Sequence, residues 1–193
     1  MKEQALFNRI ALLAVALVLI GGFFALYAAN SHPTSTATAP TATGPSYLYL
    51  TIGFSPTNGL DEYFPGNFTI AAHTPIVLTI ANYDDGANLV APAYEQVSGV
   101  IGGTATVWST PSANPAHYAS LANPGISHTF TVALPSGQLN VPIPMADGSG
   151  LPVTVQVTVE LNSTGVFTWY CMAPCDDGSM AMPGMMTGSV TVI

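Results

Sequence analysis

The sequence predicts an all-β domain, an antiparallel β-sandwich, carried on one N-terminal transmembrane helix. Three observations predict it. Beyond residue 45 the apolar residues recur with a period of two, as in Tyr47-Leu-Tyr-Leu-Thr-Ile-Gly53 and in the alternating Val153, Val155, Val157 and Val159. Short runs of this kind are separated by Gly, Pro, Asn and Asp clusters that act as turns. Ahead of them lies a single uninterrupted apolar run, Ile10 to Ala29, long enough for roughly 30 Å of helix.

In chain order, residues 1–9 hold the only two basic side chains, Lys2 and Arg9, and form a short cytoplasmic N-terminus. Residues 10–29 are the membrane anchor, and the positive charges before them place the following domain on the extracytoplasmic side. A cleaved signal peptide ending near Tyr27-Ala-Ala-Asn30 is the competing reading; the apolar run exceeds the usual signal core of roughly 7–15 residues, which favours a retained span. Residues 30–45 are a Thr/Ala/Pro tether in which His32 is a solvated linker residue.

The domain itself spans 46–193. Tyr47 to Gly53, Phe68 to Ala71 and Pro75 to Ala81 read as strands, the last closed by the turn Asn82-Tyr-Asp-Asp-Gly86. His73 falls in the connection between two of them and reads as a turn residue. From 87 to 123 the pattern is lost, and so long an irregular stretch is read as an insertion that covers a site or meets a partner. His117 lies within it as a surface residue. Order returns in Pro124-Gly-Ile-Ser-His-Thr-Phe-Thr-Val132, where Ile126, His128, Phe130 and Val132 share a face. Leu139 to Ile143, Leu151 to Leu161, Gly165 to Tyr170 and Thr187 to Ile193 bring the expectation to seven or eight strands.

Composition narrows the function. Hydrophobic residues make up 49% of the chain, enough for a core, while charged residues make up 6%, against roughly a quarter in an ordinary soluble domain. Of ten Asp and Glu, all but Glu3 follow the tether, where Lys and Arg are absent. A surface without fixed positive charge cannot repel itself when acid neutralises its carboxylates, so an acidic exterior is expected. The sequons at Asn67 and Asn162 give glycosylation as a compatible reading. Nucleic acid is excluded as a partner, since it needs a basic face.

The chemistry is concentrated in one stretch. Residues 169–186 contain both cysteines and five of the seven methionines. Two soft sulfur donors four residues apart, followed by thioethers in a Gly/Pro-bent loop between strands, suit a copper or thiol-redox site. An extracytoplasmic disulfide is the structural alternative. Ser179, Asp176 and Asp177 form no hydrolase constellation, because no histidine accompanies them and no Gly-x-Ser-x-Gly elbow exists.

The Ile-x-His-Thr-Phe-Thr strand, the later Gly-x-Phe-x-Trp-Tyr-Cys, the sulfur-rich loop and the closing Gly-x-Val-x-Val strand together resemble the cupredoxin fold. More narrowly, the loop is similar to that of the outer domain of subunit II of haem-copper respiratory oxidases, with the pattern Cys-x-x-x-Cys-x-x-x-His-x-x-Met and an upstream histidine. The resemblance covers about residues 45–193. It implies His128, Cys171, Cys175 and Met182 as metal ligands and places Ser179 at the position of the loop histidine. Two readings of that serine stay open: copper retained with thioether help from Met180, Met182, Met185 or Met186, or copper lost, as in subunits of quinol oxidases.

The expected function is therefore a subunit II-like component of a membrane haem-copper terminal oxidase. Haem would belong only to the partner catalytic subunit, and electrons would come from a quinol or a copper-protein donor. A stand-alone anchored copper electron carrier is the alternative, and a pilin-like surface protein is a third.

Overall fold

A computed structural model describes residues 46–109 and 114–193. The expected anchor at 10–29, the tether and His32 lie outside the described residues. Among the described residues no helix is long and apolar enough to cross a membrane.

Among the described residues, eleven strands form two sheets. They are β1 (Ser46–Phe54), β2 (Asp61–Phe64), β3 (Asn67–Ile70), β4 (Ile76–Asn82), β5 (Ala105–Trp108), β6 (Ala116–Tyr118), β7 (Ile126–Leu134), β8 (Gly137–Pro144), β9 (Val153–Val159), β10 (Gly165–Tyr170) and β11 (Thr187–Val192). One sheet has the order β2-β1-β4-β9-β5-β6 and the other β3-β11-β10-β7-β8. The all-β, two-sheet expectation is met. The faces of both sheets meet in one apolar core that includes Leu50, Ile52, Leu78, Ile80, Phe130, Val155, Trp169 and Val190.

Two features differ from the sequence reading. The sandwich is not wholly antiparallel: β1 pairs with β4 and β11 pairs with β3 in parallel. The physical reason is a crossing. After β2 has paired antiparallel to β1, the chain passes through Pro65-Gly66 into the opposite sheet as β3, and returns as β4 on the other side of β1. The strand count also exceeds seven or eight, partly because the stretch read as irregular supplies β5 and β6 at a sheet edge. Their half-exposed, three- and four-residue patterns carry no clear alternation.

The rest of that stretch is pinned by two side-chain amides, one buried and one half-buried. Asn140, fully buried, donates to the carbonyls of Tyr94 and Gln96 at 3.2 and 2.6 Å. Asn123 donates to Val90 O at 2.9 Å and to Glu95 Oε1 at 2.6 Å. Such side chains give the loop backbone the partners that a ladder would otherwise supply.

An aromatic cluster fixes the end of the sandwich where the cysteines lie. Trp169 is fully buried, with ring centroids 4.7 Å from Tyr63 and 5.8 Å from Phe130. Its indole N–H donates to Gly66 O at 2.8 Å, and Tyr63 Oη donates to Thr129 O at 3.0 Å. Both polar tips are therefore satisfied, as buried Trp and Tyr require.

Candidate metal centre

Four separate pieces of chain meet at this end. β7 carries His128, the loop after β10 carries Cys171 and Cys175, the turn after β4 carries Asp84, and the start of β2 carries Asp61.

The histidine is aimed by an irregularity in its strand. Between Ile126 and His128 the pairing with β8 shifts register, so that Ser127 is an extra residue. Bulges re-aim side chains in this way and favour functional positions. His128 is fully buried, with Nδ1 3.1 Å from Cys175 Sγ and 3.8 Å from Cys171 Sγ. Its other nitrogen, Nε2, lies 2.9 Å from Asp84 Oδ2. That contact is an ion pair at hydrogen-bond distance, and it is the largest favourable influence on the charged form of each group.

The loop brings the sulfurs together. Cys171 and Cys175 are free thiols, 2% and 6% exposed, with their sulfurs 3.3 Å apart. Cys171 is held by its own N–H, which donates to Met186 O at 2.8 Å, and its sulfur accepts from Thr129 N at 3.4 Å. Thr129 Oγ1 in turn accepts from Met172 N at 2.7 Å, tying the loop to β7.

A short helix, α1 (Asp177–Ala181), follows. Asp176 caps it, accepting from Ser179 N at 2.9 Å and from the Ser179 hydroxyl. Ser179, at the expected histidine position, is thus fully buried but committed to the helix cap. The same helical turn decides where the thioethers go. Met182, expected as a ligand, is 42% exposed and its sulfur lies 3.9 Å from Asn58 Nδ2. Met180 is exposed as well, whereas Met186 is buried in the core with the two cysteines. The structure therefore brings His128, Cys171 and Cys175 within 4.8 Å of one another and leaves Met182 at the surface.

The remaining histidines lie elsewhere. His73 sits in its turn with φ 54° and Nδ1 3.0 Å from Asn162 Oδ1. His117 is on the edge strand β6, 3.1 Å from Thr106 Oγ1.

Sequence reasoning missed the two carboxylates. Asp84 is 6% exposed and held by a hydrogen bond on each oxygen: Oδ1 accepts from Gly86 N at 2.9 Å and Oδ2 from Ser127 Oγ at 2.7 Å. Asn82 builds this turn by accepting from Asp84 N and donating to Asp84 O. Asp61, 8% exposed, points inward with Tyr63 on β2. The signal available was the alternation Asp61-x-Tyr63, which places an acid on the same face as a core aromatic.

Protons follow the geometry. Burial alone would raise the Asp84 carboxyl, but the His128 imidazole, the Ser127 hydroxyl and the Gly86 amide override it and bring the pKa to about 2. Burial alone would lower His128, but Asp84 and then Cys171 raise it to about 9. Burial likewise opposes ionisation of Cys171, yet the Cys175 thiol and His128 hold Cys171 well below the usual thiol range. The hydrogen bond it gives to Cys171, and then burial, push Cys175 up. The pair thus favours the anion at Cys171 and the thiol at Cys175.

A pH prediction follows for the metal-free protein. The lowered Asp84 stabilises fully above the ordinary carboxylate pKa of about 3.9, and that contribution is lost as pH falls through about 2. The raised His128 stabilises fully below its ordinary pKa of about 6.5, and that contribution is lost as pH rises through about 9. Melting curves of the metal-free full chain and of Asp84→Asn should differ most between about pH 4 and 6.5. The gap should close toward both extremes.

Comparison with known proteins gives a loose likeness. No protein-family model and no curated protein matches the chain. Among solved structures the chain is similar to auracyanin A, a "blue" copper protein from the green thermophilic photosynthetic bacterium Chloroflexus aurantiacus. Identity is 11%, 78% of this chain and 100% of that one are covered, and the TM-score is 0.40. Reduced rusticyanin matches at 13% identity over 78% of this chain and 81% of that one, with a TM-score of 0.38. A multicopper oxidase from Campylobacter jejuni, a metallo-oxidase, matches at 7% identity over 80% of this chain and 31% of that one, with a TM-score of 0.42. Likenesses this loose carry no functional conclusion.

Proposed function

We propose that the chain is a membrane-tethered, extracytoplasmic electron-transfer protein whose cupredoxin-like domain holds copper between His128, Cys171 and Cys175. The single observation behind it is the convergence of two free thiols and one imidazole nitrogen in a buried site. The donor set fits the metal: soft thiolates and an imidazole favour copper over hard cations.

Bound copper supplies one-electron exchange. The chain's own residues do the rest. Cys171 is already deprotonated in character, His128 presents Nδ1 toward the sulfurs, and Asp84 keeps that ring oriented through Nε2, the outer partner that ligating histidines generally have. Tyr63, whose ring meets His128 edge-on at 6.2 Å, screens the site from water together with Trp169. Burial also argues against a nucleophilic enzyme, since a thiol 2% exposed cannot meet a substrate.

Copper titrated into the full chain should bind at one centre with thiolate charge-transfer absorption and a reversible one-electron potential. Binding of zinc but not copper would overturn the electron-transfer reading. Met186→Leu should shift the potential, because Met186 is buried in the same core cluster as both cysteines and its carbonyl holds the Cys171 amide. Met182→Leu should leave copper affinity unchanged, since that side chain is at the surface.

The partner reading, a haem-copper catalytic subunit fed by quinol or a copper protein, rests on the resemblance of the loop to oxidase subunit II. On that reading the run at 10–29 packs beside the partner in the membrane and the domain faces an acidic exterior. Mild detergent extraction should then recover haem with the chain; a haem-free preparation selects the stand-alone carrier.

A further inference from the structure

We propose a second cation site next to the sulfur site, formed by Asp61, Asp84 and His128 Nε2, which takes a borderline divalent metal such as zinc and makes the His128 ring a bridge between two metals. The ligand atoms of these three residues lie within 4.8 Å of one another, and all three side chains are buried.

An unsatisfied atom points to the ligand. Among the described residues, Asp61 Oδ1 is a buried carboxylate oxygen with no hydrogen-bond partner. It lies in the same cluster as the His128 Nε2–Asp84 Oδ2 pair. A buried polar atom left unpaired costs about 1–3 kcal/mol, so Asp61 Oδ1 beside that pair calls for a partner.

Orientation of His128 needs only one carboxylate, and Asp84 supplies it at 2.9 Å. Asp61 is surplus to that task. The charge balance is equally one-sided, because the chain's only Lys and Arg are Lys2 and Arg9, at the other side of the expected anchor. No Lys or Arg stands among the described residues to pair with a second buried carboxylate here.

The chemistry of the donors selects the metal class. Two carboxylate oxygens and an imidazole nitrogen suit zinc, with a fourth position left for water. The soft sulfur pair on the opposite ring nitrogen suits copper. A single imidazole with one metal on each nitrogen gives up both ring protons, so binding of the second metal releases protons to solvent.

The test separates this site from the sulfur site. In the full chain carrying Cys171→Ser with Cys175→Ser, the thiolates are gone and the carboxylate site is intact. Equilibration with zinc alone, followed by desalting and metal analysis, should leave one zinc per chain. Adding Asp61→Asn should weaken zinc binding at least tenfold; this change removes a charge from a side chain whose Oδ1 bonds nothing, so the fold is preserved. Asp84→Asn in the same background should do likewise. Absence of zinc from the sulfur-free chain, or zinc that survives both substitutions, overturns the proposal. Because the sulfurs are absent throughout, a failure here leaves the copper reading standing, and failure of the copper reading leaves this site standing.

Discussion

Cys171→Ser should abolish thiolate-to-copper absorption and weaken copper binding by at least about 100-fold, more than loss of an outer partner of a ligand costs. Three features make Cys171 the most sensitive position. Its sulfur is the one that His128, Cys175 and the Thr129 N–H all stabilise as an anion. It is also tied through its N–H to Met186, so the loop geometry is set at this residue. A serine hydroxyl is a poor soft-metal ligand. Titration against a competing chelator checks the affinity, and Met182→Leu serves as the control that retains both binding and colour.

The largest stability effect outside the site is expected at Gly188. A Cβ there would lie 1.9 Å from Gly66 O and 2.6 Å from Trp169 Nε1, the two ends of the hydrogen bond that seats the buried indole. Neither backbone nor indole can withdraw without opening β11 or tilting the aromatic cluster. Gly188→Ala should therefore cost about 3 kcal/mol, a fall in Tm of roughly 6–12 °C. Gly53→Ala is the contrast: its new Cβ meets nothing closer than Tyr83 Cβ at 3.6 Å. It should be neutral or stabilise by about 0.4–1 kcal/mol through the unfolded chain. Thermal melts of the two variants check both signs.

Most of the sandwich was legible because its strands are half-buried and alternate. β1, β4 and β9 show it, with inward Leu50, Ile52, Leu78, Ile80, Val155 and Val157. β5 and β6 escaped because strands of three and four residues with few of them buried leave no periodic trace. The parallel pairs escaped for a different reason. Pairing direction depends on which sheet each strand joins, and the crossing at Pro65-Gly66 is a property of packing between layers.

In the candidate site, the resemblance to the oxidase subunit named His128, Cys171, Cys175 and Met182 together. The fold gathers the first three from β7 and the loop after β10. Carrying Met182 over assumes the loop path of that family. Here α1 adds a helical turn and directs Met182 outward, while Met186 is the buried thioether. Asp61 and Asp84 went unseen because acidic residues near turns are usually solvated, and only the three-dimensional approach of β2 and the β4 turn to His128 marks them out.

The most direct test of the copper centre is an X-ray absorption spectrum at the copper edge, taken on the full chain loaded with one copper. Scattering from two thiolate sulfurs and one imidazole, with the sulfur contribution reduced in Cys171→Ser, is the predicted result. A copper surrounded only by oxygen and nitrogen neighbours, and unchanged by that substitution, would contradict it.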